Sequence, residues 1–173
     1  MSMRCFLATE EALQKKEYFY KDILSTISEN DMFYNDKVTF ESNLTDAEKT
    51  VIGNVFKEFN IYAIHSGFQF SYEPRYREAI SKSFAKNALE ELKWLRAFAK
   101  KKLLQQNVFM IVNLWLGKET NFNKLKMQRI DVNNWQLSED KKFEFEYGVI
   151  YQFYDNSDEA IQRRKMRSAK QKY

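Results

Sequence analysis

One cysteine, one histidine, one proline and four glycines are all that 173 residues hold of these types. A lone Cys5 excludes an internal disulfide framework, and with His65 as the single histidine the chain cannot build the usual four-ligand Cys/His zinc site. Glycines at 53, 67, 117 and 148 are too scattered for a phosphate-cradling loop, a dinucleotide fingerprint or a hydrolase elbow. Nucleotide-driven chemistry is therefore not expected, and no cofactor is assigned. No cluster of Pro, Gly or Ser marks a linker, and no internal repeat of 20 to 50 residues is visible. The simplest organisation is one domain over residues 1–156 followed by a basic helix or tail over 157–173. No stretch approaches 18 uninterrupted apolar residues and the N-terminus has no signal-peptide pattern, so a cytoplasmic protein with no membrane partner is expected.

Large apolar groups, by contrast, are plentiful: 15 Phe, 10 Tyr and 3 Trp within a hydrophobic fraction of 44%. A chain of this composition buries a core. Residues 4–8 read as a first strand. Thr9 with Glu10 and Glu11 reads as the start of a helix reaching Glu29, whose apolar positions Leu13, Tyr20, Ile23, Leu24 and Ile27 recur at helical spacing. Residues 38–41 read as a short strand. Thr45 and Glu48 form a capping box for a helix displaying Val51, Ile52, Val55, Phe56 and Phe59. Alternation over 61–72 predicts a strand or hairpin ended by Pro74. A long helix over 75–106 then carries an inward stripe of Ile80, Phe84, Ala88, Leu92, Leu95, Ala99 and Leu103. Segments 108–116, 124–132 and 143–154 read as an antiparallel three-strand meander, the first apolar on both faces and so central. The expected class is α+β: a single domain with an antiparallel sheet of about five or six strands, covered by two or three helices.

Charge is segregated along the chain. Residues 1–74 hold 7 basic and 12 acidic side chains, whereas residues 75–104 hold 9 and 3, and the tail 157–173 holds 6 and 2. On a helical wheel at 100° per residue, Lys82, Lys86, Lys93, Arg96 and Lys100 fall within one stripe about 80° wide, opposite the apolar stripe. That ridge extends roughly 27 Å at 1.5 Å per residue, a length over which a nucleic-acid backbone offers several phosphates. Arg163, Arg164, Lys165 and Arg167 add a second basic cluster. The reading is a non-catalytic binding protein that docks on nucleic acid or a nucleic-acid–protein complex. A/T-leaning composition, with 20 Lys against 8 Arg, fits a phage or mobile element, where such a protein would be an anti-CRISPR-like inhibitor of a host defence nuclease.

Two other classes stay open. A metal-dependent nuclease needs clustered carboxylates, for which Asp131, Glu139, Glu144 and Glu146 are the candidates, the last two alternating along the final strand. A protein-interaction module would instead use the acidic first 74 residues. Cys5 with His65 is the one conceivable nucleophile–base dyad. The aromatic face of the last strand, with Phe143, Phe145, Tyr147, Tyr151 and Phe153, is expected to pack in the core rather than to stack bases.

Overall fold

A computed structural model describes residues 3–13, 38–53, 55–66, 68–116 and 124–170. Six strands form one mixed sheet: β1 (Met3–Thr9), β2 (Thr39–Glu41), β3 (Asn60–His65), β4 (Phe109–Trp115), β5 (Lys126–Asp131) and β6 (Val149–Tyr154). Their order is β2-β3-β1-β4-β6-β5. Among the described residues, four helices accompany them: α1 (Asp46–Ile52), α2 (Tyr76–Ala79), α3 (Lys82–Leu103) and α4 (Asp158–Lys170). No described helix is long and apolar enough to cross a membrane.

The central strands β1 and β4 have neighbours on both edges and apolar residues on both faces, so each feeds two cores. Leu7, Ile111 and Phe109 point to one face, beneath Leu92 and Leu95 of α3. Phe6, Ala8, Met110 and Val112 point to the other, where Val51 and Ile52 of α1 cover them. Strand pleating alone produces this division, and it demands a helix on each side.

The capping box forms as expected. The Glu48 N–H donates to Thr45 Oγ1 at 3.3 Å, and the Thr45 N–H donates to Glu48 Oε2 at 2.8 Å. The helix is shorter than its apolar spacing suggests. It ends at Ile52 before Gly53, so Val55 and Phe56 reach the core from a turn.

Several expectations are corrected. Thr9 belongs to β1 rather than capping a helix, its hydroxyl donating to the Glu11 carbonyl at 2.8 Å. Residues 10–13 are not helical, and the rest of the helix expected there, to Glu29, lies outside the described residues. The 61–72 segment is not a hairpin: β3 stops at His65, and Tyr72 forms an isolated bridge with Phe143. The expected long helix is broken. Ser81 caps α3 by accepting from the Phe84 N–H at 3.0 Å, and Ile80, assigned to the inward stripe, is 52% exposed. The last three strands are no meander, because β5 pairs with β6 in parallel, from Lys126 opposite Val149 to Asp131 opposite Tyr154. A parallel pair needs a crossover of about a dozen residues or more, and the connection 132–148 supplies it. Within that connection Phe143 and Phe145 pack into the core without being part of the strand.

The junction between β6 and α4 is built around a buried carboxylate. Asp155 Oδ1 accepts from the Ser157 N–H at 2.8 Å and from Asn133 Nδ2 at 2.7 Å. Burial by itself raises the carboxyl, but those donors, the Ser157 hydroxyl and the charge of Lys100 outweigh it and hold the group below its ordinary value of 3.8. A carboxyl depressed in the folded state contributes stability above its unfolded value and loses it as pH falls through the folded one. Asp155→Asn is therefore expected to lower stability at neutral pH and to flatten the acid limb. Urea midpoints of the variant and the parent should converge as pH drops from about 6 to about 3. A constant gap between them across that range would exclude the carboxylate as the cause.

Candidate nucleic-acid interface

Helix α3 owes its orientation to its buried stripe. Ala85, Ala88, Leu89, Leu92, Leu95, Ala99 and Leu103 face the sheet, which turns the basic ridge outward. The ridge is not uniform. Lys82, Lys86 and Lys100 are exposed, whereas Lys93 and Arg96 are half-buried and engaged. Lys93 Nζ lies 2.7 Å from Glu90 Oε1, one turn earlier. Arg96 donates from its guanidinium to the Trp135 carbonyl at 2.9 Å, which ties the loop after β5 to the helix.

The C-terminal segment is folded against this region rather than extended. Ser157 accepts from the Ala160 N–H at 3.3 Å, and Asp158 and Glu159 suit the positive end of the α4 dipole. Ala160 is buried, but the helix has too few apolar residues to bury much more. The decisive contact is made by Arg167. Its guanidinium donates to the Leu104 carbonyl at 2.6 Å and to Asn107 Oδ1 at 3.0 Å. Leu104 caps the C-terminus of α3, where orphan carbonyls and the negative dipole end favour a cation. Arg163 pairs with Glu159 at 2.9 Å, Arg164 is half-buried, and Lys165 is exposed.

A small cleft opens between the first turns of α3, the short α2 and the 132–148 connection, with a volume of about 130 Å³. Arg77 pairs there with Glu139, and Lys86 and Lys93 line the same space. Arg77 carries no periodic signal in the sequence, because its position depends on the break between α2 and α3.

The four carboxylates of the nuclease alternative stay apart, each with its own partner or none. Asp131 accepts from the Asn133 N–H at 3.0 Å and from Asn134 Nδ2 at 2.6 Å, closing a turn after β5. Glu139 is held by Arg77, and Glu144 lies 3.1 Å from Lys142. Glu146 is exposed, and neither it nor Glu144 lies on the strand expected to align them. Among the described residues, no group of three or more His, Cys, Asp or Glu is arranged to hold a metal ion.

Cys5 and His65 form no dyad. His65 Nε2 faces Glu41 at 3.1 Å and its Nδ1 faces Arg4 at 3.4 Å. Burial first and the Glu91 charge second push the Cys5 thiol well above its ordinary range, so it is a poor source of thiolate.

No protein-family model, no curated protein and no solved structure matches the chain.

Proposed function

We propose that this protein binds nucleic acid, alone or within a nucleic-acid–protein complex, through a basic face made by α3 and α4, and does so without catalysis. The supporting observation is the Arg167 contact with Leu104 and Asn107, which sets the basic α4 against the C-terminal end of the basic α3. Over Lys82–Leu103 the sequence has seven basic and two acidic residues, and over Asp158–Lys170 it has five and two. Such a concentration of one sign raises the local concentration of polyanions and steers their approach. Basic side chains of this kind gain affinity by releasing counterions from the phosphate backbone, whatever its sequence. Arg96 and Arg167 contribute positive charge while holding the scaffold, so the contacts with phosphate fall to Lys82, Lys86, Lys100, Lys165 and Lys170. As a finer reading, a small protein of this kind suits an inhibitor that docks on the nucleic acid held by a defence nuclease.

Fluorescence anisotropy of labelled duplex DNA, single-stranded DNA and structured RNA across a salt series tests the proposal. The expected result is binding whose logarithm falls linearly with log salt, with a slope of about −3 to −4.5 for four or five neutralised phosphates. Absence of binding to all three at about 50 mM salt would overturn it as a free nucleic-acid binder.

A further inference from the structure

Resting on the nucleic-acid reading, we infer that the cleft beside the ridge is a seat for one phosphate group, and that the Glu139 carboxylate is the internal anion that holds its place. Three cations converge there. Arg77 pairs with Glu139, Lys93 pairs with Glu90, and Lys86 makes no ion pair among the described residues. The cleft is open to solvent, and its volume of about 130 Å³ leaves room for a phosphate group.

Glu139 is positioned by its backbone rather than by its own packing. The Tyr72 hydroxyl donates to the Glu139 carbonyl at 2.8 Å, and Tyr72 is joined to Phe143 by two backbone bonds of 2.8 and 2.9 Å. The carboxylate is thereby delivered to Arg77 while its side chain stays 66% exposed. An exposed ion pair of this type is weak and readily exchanged, because solvent screens it and both side chains regain rotamer freedom when it opens. A phosphate can take the place of the carboxylate on Arg77 with bidentate geometry, and Lys86 is already positioned to add a further contact. The three cations favour a doubly charged oxyanion over a carboxylate, while Glu90 and Glu139 oppose any anion that enters.

The test titrates inorganic phosphate against the protein by ³¹P NMR at constant ionic strength, using the parent, Glu139→Gln, Lys86→Ala and Lys49→Ala. Glu139→Gln is expected to tighten phosphate binding by about two- to fivefold, the reverse of what loss of a metal ligand would do. Lys86→Ala is expected to weaken binding several-fold, and Lys49→Ala, exposed on α1, to leave it unchanged. A parallel arm compares 5′-phosphorylated and 5′-hydroxyl strands of one sequence. Preference for the phosphorylated strand assigns the seat to a terminal phosphate, and equal gains for both strands in Glu139→Gln assign it to a backbone phosphate. No phosphate binding, or an effect of Glu139→Gln no larger than that of Lys49→Ala, would overturn the seat. If phosphate binds but neither strand does, the seat stands and the nucleic-acid reading falls.

Discussion

Reversing Lys82 and Lys86 on α3 together with Lys165 and Lys170 on α4 to glutamate is expected to weaken nucleic-acid binding by at least about a hundredfold at ~100 mM salt. All four side chains are exposed, so the fold and the denaturation midpoint should change little. Each lost phosphate contact lowers the salt slope by about 0.9, so either pair alone should lower it by about 1.8 and the four together by about 3.6. The division into pairs decides whether α3 and α4 act as one surface. If α4 merely decorates the chain, the Lys165/Lys170 pair will leave the slope unaltered while the Lys82/Lys86 pair lowers it. Lys93, Arg96 and Arg167 are kept intact because their contacts with Glu90, Trp135 and Leu104 make any loss ambiguous between binding and folding. An unchanged slope in the fourfold variant, with its fold preserved, would remove the basic face as the binding surface.

How much of this arrangement the sequence carries depends on the range of the interactions involved. The capping box at Thr45 is local chemistry over three residues, and it forms with both of its hydrogen bonds. Strand β4 is apolar on both faces, a pattern that only a central strand sustains, and it lies between β1 and β6. The direction of β5 against β6 is different in kind. Side-chain alternation is identical in parallel and antiparallel strands, so periodicity cannot choose between them, and the path of the 132–148 connection does. The break at Ser81 is hidden because Ile80 continues the period of the stripe that follows, although it ends up in solvent.

The same distinction applies to the site. The outward ridge follows from helix geometry once the apolar stripe is known, and the Lys93 pair with Glu90 is a neighbour relation on one helix. Arg96 with Trp135 and Arg167 with Leu104 join residues 39 and 63 positions apart, and no local rule anticipates either. Those long-range bonds set α4 against the C-terminal end of α3 and engage two arginines of the basic segments in structural contacts.

The largest stability effect is expected from Glu91, a charged residue on the buried side of α3 that is 2% exposed. Its Oε1 accepts from the Phe70 N–H at 2.9 Å and its Oε2 from the Phe68 N–H at 3.3 Å. Both bonds secure a turn in which Gln69 and Phe70 take φ of 53 and 50°, the left-handed region that disfavours side chains of this size. Two consecutive residues there cost of order 1–3 kcal/mol each, and the turn persists because the carboxylate binds its N–H groups in a low-dielectric setting. Glu91→Ala leaves two buried donors unpaired and is expected to cost about 3 kcal/mol, lowering the melting temperature by about 6–12 °C. Glu91→Gln keeps one acceptor and should lose roughly half as much. The same change removes the second cause of the raised Cys5 thiol, so Cys5 should react faster with a thiol reagent in folded Glu91→Gln than in the parent. The consequence reaches the basic face, because the turn leads directly into Tyr72, whose hydroxyl fixes the Glu139 backbone at the cleft. Glu91→Gln should therefore alter phosphate binding at the cleft while leaving the α4 contribution to the salt slope intact. A loss below about 1 kcal/mol for Glu91→Ala would mean that aromatic packing of Phe68 on Phe84 and of Phe70 on Trp94, and not the carboxylate, holds the turn.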